Sequence, residues 1–217
     1  MAMFGTAIGR RARRPAGGGS TRTGSWARGL ILGPLLWSPI ASLSTAGDAA
    51  RAAEPAASKE YQVKAVFLFN FVQFVEWPPE AFAGADAPVR IGVLGEDPFG
   101  PLLDQVVQGE TVRNRRLTVE RPKQTDDLRK FHVLFVCPSE KGQVDRILAG
   151  LRGSPVLTVG ESDGFARQGG AINFFLQGNK VRFEINPDAA QRNGLRMSAQ
   201  LLNLGRIVAA GTHKEKP

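Results

Sequence analysis

The residues able to do chemistry are few. Histidine occurs only at positions 132 and 213 and cysteine only at 137, and His213 sits in the polar tail Thr212 to Pro217. A nucleophile–base pair or a metal site would therefore have to be built on His132 and Cys137. Both lie in Phe131-His132-Val133-Leu134-Phe135-Val136-Cys137, which reads as a buried strand. Residues an odd number apart in a strand point to opposite faces, so these two do not readily share a ligand or substrate. His132 is expected as a satisfied structural residue and Cys137 as a small buried hydrophobe. A lone cysteine cannot close a disulfide within the chain. The spacings of a zinc site, a phosphate-cradling Walker loop and a nucleophile elbow are all missing from the sequence.

One glycine pattern follows a strand, Gly92-Val93-Leu94-Gly95-Glu96-Asp97-Pro98-Phe99-Gly100. A phosphate cradle needs free backbone N–H groups and no opposing charge. Glu96 and Asp97 would repel a phosphate, and Pro98 has no N–H. A tight strand-to-helix turn is the better reading. Its position at the carboxyl end of a strand still leaves room for a small-molecule site, with Gly95, Asp97, Phe99 and Gly100 from this turn and Asp163 and Phe165 from the loop Gly160 to Phe165. The carboxylate pairs Glu161/Asp163 and Asp126/Asp127 fall in loops or helix starts, where capping explains them and solvation would leave their pKa values ordinary. Nothing positive in the residues points to an enzyme, and no cofactor is implied.

The formal charge of +8 is unevenly placed. Seven of the 28 basic residues, all arginine, lie in the first 52 positions against Asp48 alone, which leaves 21 basic and 19 acidic side chains in the body. A groove for nucleic acid therefore has little support. Residues 1 to 28 contain no acid and precede the apolar stretch Leu30 to Leu43. A basic segment, a short apolar run broken by Pro34 and Pro39, and small residues around Ala46 and Ala50-Arg51-Ala52 make up the pattern of a secretory signal. Residues 1–52 are thus expected to be a leader, removed on export to the periplasm. An uncleaved anchor, a misassigned start and twin-arginine export on Arg10-Arg11 remain open alternatives. Residues 53–58 are expected as a short tether, 59–210 as one domain and 211–217 as a polar tail. Overall, 42% hydrophobic and 22% charged residues suffice for one sizeable core.

Within that body, Tyr61 to Val75 has 11 apolar residues in 15 and stops before Trp77-Pro78-Pro79. A helix this apolar must be covered on more than one side. Strand and helix signals then alternate: Val89–Leu94 strand, Pro101–Val107 helix, Leu117–Glu120 strand, Asp126–Lys130 helical turn, and the strand 131–137. A helix capped by Ser139 follows, with Val144, Ile147, Leu148 and Leu151 on one stripe, and then a strand at Pro155–Val159. Ala171–Leu176 and Lys180–Ile185, joined at Gln177-Gly178-Asn179, read as a β-hairpin whose second strand has one charged, solvated face. Asn186-Pro187 starts a short helix, and Ser198–Ala210 reads as a last helix with Leu201, Leu204 and Val208 on its core stripe. The expectation is an α/β domain: a single mixed sheet of about six strands flanked by helices, with a C-terminal antiparallel hairpin and terminal helix.

The segments Lys64-Ala65-Val66-Phe67-Leu68-Phe69-Asn70-Phe71, Phe74-Val75-Glu76-Trp77-Pro78, Ile91-Gly92-Val93-Leu94-Gly95, Asp97-Pro98-Phe99-Gly100, His132 to Val136, Val156 to Val159, Val181-Arg182-Phe183-Glu184-Ile185-Asn186 and Ser198 to Leu204 occur in that order. Together they resemble the YfiR/HmsC-like family of periplasmic proteins over about residues 59 to 210. The resemblance implies a non-catalytic repressor with an α/β fold, often dimeric. Such a protein binds the periplasmic sensor domain of an inner-membrane diguanylate cyclase, or a similar membrane sensor, and lowers cyclic di-GMP and biofilm signalling. Family members often carry a cysteine directly before the His-Val-Leu-Phe segment and use disulfides for stability or redox control. Phe131 stands there in this chain, so internal disulfide gating does not apply.

Residues that such a partner or a second subunit would contact are Phe67, Phe71 and Phe74 on the first helix, Trp77 at its end, and Arg182 and Glu184 on the hairpin. Each has a plainer reading beside it: core packing for the phenylalanines, a packed indole for Trp77, solvated strand positions for the two charges. A periplasmic small-molecule module reporting to a membrane sensor or transporter is the alternative function, and an unrecognised hydrolase a third.

Overall fold

A computed structural model describes residues 46–209, and the side chains of residues 59–209. The expected leader over 1–52 lies almost wholly outside the described residues, as does the polar tail. Helix α1 (Ala46–Phe74) buries Ala65, Leu68, Phe71 and Val72, the three- and four-residue spacing of one helical face. It runs back through 53–58, where a tether is expected; alanine, the strongest helix former, dominates there. At Val75 the chain turns into β1 (Val75–Glu76), which pairs antiparallel with β9 (Arg196–Met197). Pro78 and Pro79 then rule out further helix.

The remaining elements are β2 (Val89–Leu94), α2 (Pro101–Val107), β3 (Thr111–Val112), β4 (Arg115–Glu120), β5 (Val133–Val136), α3 (Val144–Gly150), β6 (Leu157–Gly160), β7 (Ile172–Gln177), β8 (Lys180–Ile185), α4 (Pro187–Arg192), α5 (Ala199–Leu204) and β10 (Arg206–Ile207). Eight strands form one mixed sheet in the order β10-β8-β7-β6-β5-β2-β4-β3. The run β7-β6-β5-β2-β4 is parallel throughout, and β7 and β8 form the expected antiparallel hairpin with Phe174 opposite Phe183.

Both faces of the parallel strands are covered, which explains their unbroken apolar runs. Ile91, Val93, Val133, Phe135, Leu157 and Val159 form one core with α1 and α2. Leu94, Leu134 and Val136 form a second with Val144, Ile147 and Leu151 of the α3 segment and with Phe165. Phe165 lies against Gly160 and Gly170, where a Cβ would stand 2.7 and 2.1 Å from its ring.

The mixed sheet flanked by helices is as expected, and its count of about six strands rises to eight with β3 and β10, each only two residues long. β3 forms a tight hairpin with β4 through Arg113 and Asn114, both at positive φ, a turn whose usual glycine is missing. Three local expectations are corrected. Ser139 does not cap a helix. It lies inside a 3-10 segment, Pro138–Gln143, and its Oγ accepts the Glu96 N–H at 2.9 Å. The last helix is capped by Ser198 as expected but ends at Leu204. A Cβ on Gly205 would come within 2.6 Å of Ile185, so the backbone passes close enough to β8 to join it as β10. Leu201 is buried, whereas Leu204 is 62% exposed and is not a core residue.

Candidate functional site

The carboxyl ends of β2, β5 and β6 lead into Gly95, Cys137 and Glu161, and α1 lies across them. Tyr61 and Lys64, on one face of α1, both reach Glu161: the tyrosine hydroxyl donates to Oε1 at 3.0 Å and the Lys64 ammonium pairs with Oε2. Lys64 also pairs with Glu60 and is buried. A buried ammonium needs such partners, since a lone charge out of water is costly. Burial and then the neighbouring Glu161 carboxylate push the Tyr61 hydroxyl well above its ordinary pKa, so it remains a donor.

The two loops expected to line a ligand site are filled by the chain itself. Phe99 is buried and meets Tyr61 and Phe135 edge-on with ring centroids 5.4 and 4.9 Å apart. Phe165 is likewise buried and is a packing residue. Asp97 closes its own turn by accepting from Phe99 N at 2.8 Å and pairs with Arg121 at 2.9 Å. Gly95 has no room for a side chain, because a Cβ would stand 2.4 Å from Ser139 Oγ. Gly100 takes a positive φ of 52° just before α2. Asp163 is exposed, and its backbone carbonyl accepts from Gln168. Of the six, then, two are core, Gly95 and Gly100 shape turns, and the two aspartates line no described cavity at this edge.

His132 and Cys137 serve different places. The His132 ring stacks on Phe82 with centroids 4.4 Å apart, and its Nδ1 accepts the Arg90 N–H at 3.0 Å. Burial lowers its pKa to about 4; the Ala81 carbonyl opposes this, and the charges of Arg115 and Arg90 add to it. Cys137 is fully buried, and burial followed by the carboxylates of Asp97, Glu161, Glu140 and Glu96 pushes its thiol up to about 12. A neutral histidine and an un-ionised thiol held apart make no nucleophile–base pair. Among the described residues, no group of three or more His, Cys, Asp or Glu side chains could hold a metal ion.

The open surface is on the outer side of α1. Val63 and Val66 are 45% and 47% exposed, and Leu176, at the end of β7, is 52% exposed. Between helix and hairpin lies a groove of about 730 Å³ lined by Val63, Phe67, Leu176 and Val181, with Lys59, Lys180, Arg182 and the Lys64-paired Glu60 at its margin. Apolar side chains left in water beside cations suit a partner segment with both apolar and acidic groups.

The sequence model of the YfiR/HmsC-like family matches residues 61–206. The chain belongs to the YfiR/HmsC-like family. The family is regulatory and non-catalytic, known for control of diguanylate cyclases in the periplasm. The YfiR/HmsC-like span begins at Tyr61, which ties α1 to Glu161, and ends at Arg206, whose guanidinium pairs with Glu184.

Of the six expected contact residues, the YfiR/HmsC-like fold brings Phe67 and Arg182 together in the groove. Phe71 is core, stacked on Phe174 with centroids 5.7 Å apart, and cannot meet a partner. Phe74 is half-buried and packs against the main core. The Trp77 indole is packed, its Nε1 donating to the His132 carbonyl at 3.1 Å. Glu184 is buried beneath Arg206 and Arg167 and is no solvated strand charge. Val63, Val66 and Leu176 lie outside the expected contact set. For the two valines the signal is the excess of apolar residues in Tyr61–Val75, which calls for cover on more than one side where the body covers only one.

Proposed function

We propose that this protein is exported to the periplasm, binds the sensor domain of an inner-membrane diguanylate cyclase and holds the enzyme inactive, lowering cyclic di-GMP and biofilm signalling. Membership of the YfiR/HmsC-like family over residues 61–206 carries this reading. It is supported by the exposed apolar groove between α1 and the β7–β8 turn, which is the docking face in this proposal, and by a carboxyl edge filled by Tyr61, Phe99 and Phe165. Repression then works by occlusion: a rigid body seated on the sensor domain blocks its active arrangement.

The test is affinity capture from inner membranes of cells carrying the tagged protein, beside a Val63→Asp/Val66→Asp variant, with cyclic di-GMP measured on deletion. Both valines are half-exposed, so the variant is expected to fold. Capture of a diguanylate cyclase by the parent alone, with cyclic di-GMP rising on deletion, upholds the proposal. Unchanged cyclic di-GMP and no cyclase captured overturns it, and a groove occupied by a second copy would instead show as a dimer that the variant abolishes.

A further inference from the structure

A second cavity lies on the opposite side of the sheet from α1. Three segments wall it: the last turn of α3 with Leu148 and the turn after it with Leu151 and Arg152, the loop after Phe165 with Arg167, and α4 with Ala189 and Arg192. Side-chain amides lock the segments to one another. Asn193 Oδ1 accepts from Gly153 N at 3.0 Å and its Nδ2 donates to the Val156 carbonyl at 3.1 Å, fixing α4 to the α3–β6 connection. Asn186 caps α4 through Ala189 N and donates to the Ala166 carbonyl at 2.7 Å, fixing the loop. The cavity measures about 390 Å³, within the range of small-molecule sites.

Its charge is one-sided. Three arginines line it and no aspartate or glutamate does. Among the described residues, Arg152 and Arg192 form no ion pair, and Arg167 reaches only Glu184 at 3.7 Å, a carboxylate already held by Arg206. Other arginines, among them Arg116 and Arg146, also lack a carboxylate within ion-pair reach among the described residues; what sets Arg152, Arg167 and Arg192 apart is that the three line one cavity. Nor do Arg152 and Arg192 serve as helix caps, since neither guanidinium donates to a described carbonyl. On the wall, Thr158 is 2% exposed; its hydroxyl accepts the Ala171 N–H at 3.0 Å, and no described group accepts its proton.

We infer that this pocket binds a small molecule bearing a multiply charged oxyanion, a phosphoryl group or a cluster of carboxylates. The three arginines supply forked, planar donors suited to such groups, Thr158 offers a further donor, and Leu148, Leu151 and Ala189 form an apolar wall for the ligand's body. This inference does not rest on the cyclase reading.

The test titrates the purified protein with inorganic phosphate, pyrophosphate and citrate at constant ionic strength, by calorimetry and thermal unfolding. The Arg152→Gln/Arg192→Gln variant and an Arg116→Gln/Arg146→Gln control of equal charge are titrated in parallel. All four arginines are exposed, so both variants are expected to fold. Saturable binding that raises Tm by about 3–5 °C at tenfold excess over Kd, weakened tenfold or more in the first variant and unchanged in the control, upholds the site. Whether phosphates or citrate bind then identifies the head group. No saturable binding of any probe up to about 10 mM, or equal binding by both variants, overturns it.

Discussion

Tyr61 and Glu161 stand 100 residues apart in the chain, and the tyrosine hydroxyl donates to Glu161 Oε1 at 3.0 Å. The other oxygen of that carboxylate holds Lys64, one turn further along α1. A single acid on the loop after β6 thus fixes the rotation of α1 over the sheet. That rotation determines which of its many apolar residues face inward and leaves Val63 and Val66 outside.

Replacing Glu161 with glutamine leaves buried Lys64 with Glu60 alone. The expected cost is about 2–4 kcal/mol in urea unfolding, against about 1 kcal/mol for Tyr61→Phe, which removes one hydrogen bond. A Lys64→Met/Glu161→Leu double variant should cost less than the sum of its single changes, because no unpaired charge is left behind.

The parallel strands and the β7–β8 hairpin were legible because each carries its own signal: unbroken apolar runs for strands buried on both faces, and Gly178-Asn179 between alternating segments. β10 was not. Arg206 and Ile207 continue a helical pattern, and only the close approach of Gly205 to Ile185 makes them a strand. Glu184 looked solvated for the same reason, since the residue that covers it, Arg206, comes from an element with no local signal. The candidate site was half legible. Phe67 and Arg182 could be named, but whether Phe71 or Val66 faces the core depends on the rotation set by Tyr61 and Lys64.

His132 should make the fold acid-sensitive. Its pKa is about 4 in the folded protein and about 6.5 when unfolded, so between these values the unfolded chain binds more protons and stability rises with pH. The contribution is complete above about pH 6.5 and is lost as pH falls toward 4. Urea unfolding at pH 7 and pH 5 should differ by about 2 kcal/mol from this group, and His132→Gln should flatten that limb of the profile.

Cys137 should be inert while the protein is folded. Burial excludes reagents, and a thiol pushed up to about 12 carries almost no thiolate at pH 8. Labelling by a thiol reagent should run on the order of a thousandfold or more slower than for an unfolded peptide and should accelerate with urea in step with global unfolding. Rapid labelling of the native protein would show that the carboxyl edge opens locally.

The groove makes the sharpest distinction among the aromatic and aliphatic residues of α1. Phe71 is 1% exposed between Phe67, Phe174 and Phe183, so Phe71→Asp should abolish folding and say nothing about binding. Val63→Ser and Leu176→Ser alter groove side chains that are 45% and 52% exposed, and each should change stability by no more than about 0.5 kcal/mol. If a partner seats its apolar side chains there, the same two changes should each weaken its capture about tenfold, the loss of roughly 1.4 kcal/mol expected for an anchor at an interface. Lys180→Glu or Arg182→Glu at the margin should mainly slow association and make it less sensitive to salt. Capture unaffected by all four, with folding intact, would place the partner on another face.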